Sequence, residues 1–211
     1  MTALTDPFRL DNEIALITGG GTALGLGIAT AMVRAGARVV LTGRREEPLQ
    51  DAVKTLGDAA TYFCYDVTDF ASAPALFKKV ESQVGHPTIL VNNAGNHLKK
   101  PAEEITVDQF RALLDTHVLG AHALVREVLP GMLARQHGAI LFTASMASLY
   151  GLPLTVAYSA AKSAYLGIVR TLATEVSSRG VRVNAIAPGF IETAIVRGAF
   201  AGDPARRDKV L

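Results

Sequence analysis

Short apolar runs alternate with helix-length stretches through almost the whole chain, and this alternation limits the fold more than any other feature. Ile14–Ile17, Arg38–Thr42, Thr61–Tyr65, Thr88–Val91, Ala139–Thr143 and Val181–Ala187 read as strands. The first is apolar throughout, as a strand covered on both faces must be. Between them Leu24–Ala35, Glu47–Leu56, Phe70–Val84, Val107–Arg135 and Thr155–Ser178 read as helices. Gly36 and Gly57 follow the first two and suit helix ends, and Gly85-His86-Pro87 stops the third. Pro130 is expected to kink the fourth stretch or end its first part, because proline lacks an amide hydrogen and its ring crowds the preceding turn. Strands separated by helices predict parallel pairing through right-handed crossovers. The expected fold class is therefore α/β: a doubly wound parallel sheet, helices on both faces, three layers. No low-complexity linker, fixed-period repeat or charge block marks a boundary, so residues 1–211 are expected to form a single domain.

Composition supports a packed globule. Hydrophobic residues make up 49% of 211 and charged residues 19%, far from a disordered composition. A net charge of +2 gives no reason to expect nucleic acid or an anionic membrane as partner. Cys64 is the single cysteine, which excludes an internal disulfide and argues against a cysteine-based metal site, so no metal is expected. It sits in an apolar run and is expected to be buried packing. The N-terminal residues carry no apolar signal core, and no apolar run approaches the length of a membrane span. A cytoplasmic location is the expectation.

In a doubly wound sheet, ligands bind beyond the carboxyl ends of the strands. Thr18, Asp66, Asn93, Ser145 and Pro188 each follow a predicted strand and should share one edge. The loop Thr18-Gly19-Gly20-Gly21-Thr22-Ala23-Leu24-Gly25 joins the first strand to the first helix. Glycines allow a sharp turn and close approach to a pyrophosphate, and the helix N-terminus adds free amides and a positive dipole end. That context reads as a Rossmann-type dinucleotide loop, with Gly19, Gly21, Thr22, Ala23, Leu24 and Gly25 as coenzyme contacts. Gly43-Arg44-Arg45 follows the second strand, where an acidic residue would bind a ribose hydroxyl and repel a 2′-phosphate. Arg44 and Arg45 suit a phosphate instead, so NADP(H) is expected over NAD(H), unless both guanidinia face water. Tyr158 and Lys162 stand four residues apart and share one helix face. An ammonium beside a phenol favours the phenolate, which a free tyrosine reaches only near a pH of about 10. Alone, such a pair is also what an exposed helix carries. Ser145 upstream and the glycine loop give it catalytic meaning.

Thr18–Gly25, Asp66, Asn92–Gly95, Ser145, Tyr158–Lys162 and Pro188–Thr193 occur in order, and with them the sequence closely resembles the short-chain dehydrogenase/reductase family along nearly its whole length. The loop follows that family's Thr-Gly-x-x-x-(Gly/Ala)-x-Gly form, with Ala23 at the middle small position. The resemblance implies hydride transfer with NAD(H) or NADP(H) on a CH–OH donor. It implies that Tyr158 is the general acid/base and Ser145 holds the substrate oxygen. It further implies that Lys162 binds the nicotinamide ribose and lowers the tyrosine pKa. Asp66 would bind the adenine amino group with Val67 against the ring; the residues equally allow Asp66 to cap the helix near Phe70. Asn93, Ala94 and Gly95 would lie beside the coenzyme or brace the sheet. Pro188, Gly189, Ile191 and Thr193 would close over the nicotinamide. The two long helices resemble those that pair subunits in the family, implying a homodimer or homotetramer.

Two departures from the family pattern stand out. His117 occupies a position where the family usually has asparagine, thought to hold a water that relays protons from the lysine. Histidine can also carry protons, so His117 keeps that relay, alters its pH profile, marks lost activity, or is a satisfied helix residue. The chain also stops at Leu211, where relatives continue through a further helix and strand, so a missing segment is expected. Substrate specificity is the least determined property. His97, Lys99 and Lys100 would suit an anionic substrate if they face the pocket, and would otherwise be solvated. The runs from Asn93 to Pro101 and from Pro188 to Thr193 resemble gluconate 5-dehydrogenase-type members and also 3-oxoacyl-carrier-protein reductases. The expected function is an NADP(H)-dependent interconversion of secondary alcohol and ketone on a small molecule such as a sugar acid or polyol. A 3-oxoacyl thioester reductase and an inactive cofactor-binding scaffold are the alternatives.

Overall fold

The computed structural model of the chain describes residues 8–191. Six strands form one parallel sheet: β1 (Ile14–Thr18), β2 (Arg38–Gly43), β3 (Ala60–Cys64), β4 (Ile89–Asn92), β5 (Gly138–Thr143) and β6 (Val181–Ile186), in the order β3-β2-β1-β4-β5-β6. The helices are α1 (Ala23–Arg34), α2 (Glu46–Leu56), α3 (Ala73–Gln83), α4 (Val107–Leu114), α5 (Gly120–Arg135) and α6 (Val156–Val176). The strand order reverses between β1 and β4, which leaves a crevice at their carboxyl ends.

Successive residues of a strand point to opposite faces, and the core divides accordingly. Ile14 and Leu16 join Leu76 and Val80 of α3, Leu124 and Val128 of α5, and Tyr165 of α6. Ala15 and Ile17 join Ala29 of α1 and Leu49 and Ala52 of α2. β1 is therefore buried at all five positions, and no polar residue is tolerated before its last, Thr18. Each fully buried large apolar side chain contributes about 1.5–3 kcal/mol, so the central strands hold the layers together.

Three expectations are corrected. Cys64 is exposed rather than buried, because β3 is an outer strand paired only with β2 and Cys64 sits at its carboxyl end opposite Gly43. The stretch 107–135 is interrupted, but not at Pro130. Pro130 sits inside α5, and both it and Arg126, whose carbonyl it cannot satisfy, are exposed residues. The interruption is one π-helical turn at Asp115–Leu119. Finally, the helix after β3 is capped by Asp69, which accepts from the Ser72 amide; Asp66 does not cap it. α4 begins at a capping box in which Thr106 and Gln109 satisfy each other's amides. No described helix is long and apolar enough to cross a membrane.

The ends of β1 and β4 are fastened through one buried hydroxyl. Thr18 Oγ1 donates to the Val91 carbonyl (3.2 Å) and accepts from the amides of Asn93 and Ala94 (2.9 Å each). The Asn93 side-chain amide donates to the carbonyls of Thr18 (2.9 Å) and Gly19 (3.3 Å). Thr18→Val keeps the shape and removes the acceptor, leaving two amides without a partner. It is expected to lower stability by about 2–4 kcal/mol in urea unfolding, with Thr18→Ser close to wild type.

Candidate active site

The crevice between β1 and β4 opens into two joined compartments that share Gly19, Thr22, Ala94, Gly95 and Asn96. Its floor is the glycine loop. Gly25 is required there by close approach: a Cβ would lie 2.1 Å from the Gly19 carbonyl oxygen. Gly25 thus supports the loop from behind and lines neither compartment, whereas Gly19, Thr22, Ala23 and Leu24 line the inner one and Gly21 the outer. Thr22 makes no side-chain cap to α1, and the first turn of α1 has no acidic residue. Its amides and positive dipole end therefore remain open to the cleft, as a pyrophosphate requires. Ala23 has φ 47°, a strained value for alanine that belongs to this turn.

The inner compartment, about 330 Å³, lies within the range of small-molecule sites. Ser145 at the end of β5 and Tyr158 and Lys162 on one face of α6 converge there with His117. Ser145 Oγ accepts from the Ala147 amide at 3.1 Å and so caps the turn that follows β5. It also hydrogen-bonds Tyr158. Lys162 is 4% exposed, and its Nζ donates to the Thr143 carbonyl at 2.7 Å. The ammonium lies 5.8 Å from the Tyr158 ring centre and 4.9 Å from that of Tyr165.

Electrostatics here departs from the expectation that the lysine lowers the phenol pKa. Burial raises Tyr158 above its ordinary value, and only the Ser145 hydrogen bond pulls it back. The same burial pushes Lys162 down to about 7, so near neutrality the cation is itself only partly charged. As built, the site holds Tyr158 as a proton donor.

His117 sits in the π turn, 1% exposed. A π turn holds an extra residue, which turns this side chain inward. Its Nε2 lies 2.9 Å from the Asn96 carbonyl and 3.4 Å from the Asn96 amide; the shorter contact, to a group that only accepts, assigns the proton to Nε2 and leaves Nδ1 a lone pair. Nδ1 is buried without a partner among the described residues. The ring fits because residue 95 is glycine; a Cβ there would lie 2.5 Å from His117 Cε1. Burial, then the Lys162 charge, pushes His117 down to about 3. It is therefore neutral at physiological pH and does not titrate there, contrary to a role that depends on titration near neutrality.

The outer compartment collects Arg44, Arg45, Asp66 and Val67 around Gly43. Both guanidinia are exposed and line the cleft rather than facing away from it. The Asp66 carboxylate accepts from the amide (2.9 Å) and hydroxyl (2.8 Å) of Thr68, a local turn that leaves its other oxygen free of that bond. Asn93 braces the sheet and also borders the inner compartment with Ala94, Gly95, Pro188, Gly189 and Ile191. Thr193 lies outside the described residues.

Several lining residues were not selected from the sequence. Thr143 and Asn96 follow the strand-end logic and could have been found by it. Met146, Leu152 and Phe190 enter only through tertiary packing. Of the basic trio, only His97 reaches the inner compartment. Lys100 pairs with Glu104 at 3.9 Å, and its amide donates to the Leu154 carbonyl.

A family model described as short chain dehydrogenase matches residues 13–203. The 2-(S)-hydroxypropyl-CoM dehydrogenase 3 of Xanthobacter autotrophicus is 38% identical over 186 residues, covering 87% of this chain and 73% of that protein. The 3-oxoacyl-[acyl-carrier-protein] reductase of Escherichia coli is 33% identical over 189 residues, covering 90% and 78%. Among solved structures, a gluconate 5-dehydrogenase from Burkholderia cenocepacia in complex with NADP and tartrate matches with a TM-score of 0.90 at 33% identity, covering 97% and 81%.

His117 gives a pH signature that is independent of activity. Its folded value of about 3 lies below the ordinary 6.5. Below 6.5 the unfolded chain takes up a proton that the folded one refuses, so stability falls as pH drops through that window and is unaffected above it. His117→Asn removes this loss. Relative to the variant, wild type is expected to lose about 2 kcal/mol between pH 6.5 and 5 in urea unfolding; parallel curves would refute the buried neutral ring.

Proposed function

Because the chain belongs to the short chain dehydrogenase family, we propose that it is an NADP(H)-dependent oxidoreductase interconverting a secondary alcohol and a ketone. The observation that carries this reading is the convergence of Ser145, Tyr158 and Lys162 in one compartment that continues, past the α1 N-terminus, into a second lined by Arg44 and Arg45. The coenzyme fits the residues present. The Gly25 contact keeps the loop flat, the open α1 amides suit a pyrophosphate, and the two arginines suit a 2′-phosphate. The NADP found in the Burkholderia cenocepacia enzyme supports the same choice.

When bound, NADP(H) supplies or accepts the hydride. The chain supplies everything else. Lys162, whose Nζ donates to the Thr143 carbonyl, would hold the nicotinamide ribose. Ser145 and Tyr158 together fix one oxygen of the substrate, with Tyr158 giving its proton as that oxygen becomes a hydroxyl. The raised phenol pKa favours this donating direction, and reduction consumes one proton overall. The reverse direction needs the phenolate, which full charge on Lys162 would help to stabilise.

Sugar acids or polyols are the leading substrate class, supported by the gluconate 5-dehydrogenase likeness. A 3-oxoacyl thioester reductase is the second reading, favoured by the Escherichia coli relative and by the apolar wall of Met146, Leu152, Phe190 and Ile191. Acetoacetyl thioester reduction against gluconate oxidation separates them. The intact Ser145, Tyr158 and Lys162 speak against an inactive scaffold. Assembly as a homodimer or homotetramer through α4, α5 and α6 belongs to the same proposal, supported by Val107, Leu119 and Val156 standing exposed on these segments.

Tyr158→Phe is expected to reduce turnover about a hundred- to ten-thousand-fold while NADPH still binds, read by coenzyme oxidation and fluorescence titration. Turnover at the wild-type rate would remove the proposed role. Arg44→Asp is expected to raise KM for NADPH about ten- to a hundredfold with little change for NADH. A wild-type preference for NADH would overturn the coenzyme assignment.

A further inference from the structure

His97 lies on the segment that follows β4, and its ring packs against that of Tyr158, centroids 4.8 Å apart and planes tilted by 56°. It borders the inner compartment and is open to solvent on its other side. Most neighbouring polar side chains are already engaged, and the unpartnered His117 Nδ1 and Thr143 Oγ1 are buried. Lys162 donates to Thr143, Asn93 to Thr18 and Gly19, and His117 to Asn96, while Ser145 accepts from the Ala147 amide of its own turn and meets Tyr158. Among the described residues the ring of His97 packs on Tyr158 and its nitrogens make no hydrogen bond, which leaves them available to a ligand.

The charge acting on it is positive and comes from Lys99. Among the described residues, no aspartate or glutamate lines the inner compartment. The groups facing His97 are Lys99 on its own segment, Tyr158 and Lys162 on α6, and His117 in the π turn. Lys99 and the partly charged Lys162 favour an anion there, and no described carboxylate at the compartment opposes one.

We infer that His97 is a specificity-determining residue that binds a carboxylate of the substrate and thereby orients the reacting carbon toward Tyr158. This rests on the compartment being the alcohol/ketone site proposed above, and adds to it the residue that selects the substrate class. The binding carries a protonic consequence. Burial, then Lys99, holds free His97 below its ordinary 6.5, so it is largely neutral near pH 7. A carboxylate beside the ring favours the imidazolium, so the complex takes up part of a proton when it forms.

The test uses the enzyme–NADPH complex, in which an alcohol has no hydride acceptor and binds without reacting. Gluconate and glucitol, which share a carbon chain and differ in the carboxylate, are titrated calorimetrically at neutral pH in two buffers of different ionisation heat. Gluconate is expected to bind at least about tenfold tighter, with net proton uptake. His97→Phe keeps a ring against Tyr158 and should abolish both the preference and the uptake. His97→Gln, which keeps a neutral hydrogen-bond donor, should recover part of the affinity and none of the uptake. NADPH affinity by fluorescence reports that each variant is folded.

The inference is overturned if gluconate fails to bind, if the two ligands bind alike, or if preference and uptake survive in His97→Phe. Failure of the underlying reading has a different signature. If Tyr158→Phe turns over a neutral secondary alcohol as wild type does, the alcohol/ketone site itself is wrong. If wild type turns over such an alcohol and Tyr158→Phe does not, while gluconate shows no preference, only the His97 assignment falls.

Discussion

Everything functional in this chain depends on the reversal of strand order between β1 and β4. Chain directions diverge there, and no crossover can fill the space above their carboxyl ends. The protein fixes that gap with Thr18, whose single hydroxyl satisfies three backbone groups, and with Asn93, which ties the glycine loop to the same point. One short, polar, buried knot therefore sets the distance between the loop that faces a coenzyme and the segment that carries His97.

Around that gap the site is dry enough to change what its groups are. Burial dominates each shift: Tyr158 up, Lys162 down to about 7, His117 down to about 3. Each is driven toward its neutral form. A neutral phenol can donate, a partly neutral amine still donates to Thr143, and a neutral imidazole presents a lone pair. In the free protein the neutral forms therefore prevail, and charge becomes favourable when a ligand brings the opposite sign. His117 illustrates the cost of such placement, since its Nδ1 stays buried without a partner.

Much of the architecture was legible beforehand. The period of the apolar residues identified all six strands and the parallel sheet, with ends displaced by a residue or so, because a parallel strand buried on both faces admits little but apolar side chains. Strand-end logic gathered Thr18, Asn93 and Ser145, and helical spacing placed Tyr158 beside Lys162. Three properties do not follow from neighbours in sequence. Cys64 looked buried because its neighbours are apolar, yet its strand is an edge. Pro130 does not end a helix, since it lies inside α5 on an exposed stretch. The cation was expected to lower the phenol pKa, yet depth decides that balance, and depth is not a property of spacing.

The sequence by itself determined the element order, the sheet and the glycine loop, because these follow from local periodicity and from backbone angles that neighbouring residues dictate. Only the tertiary structure decided which polar groups face one another. The π turn that swings His117 beneath Asn96, the glycine at 95 that admits its ring, and the stacking of His97 on Tyr158 join residues far apart in the chain. Their energies depend on packing distance and exclusion of water, quantities that exist only once the layers have closed.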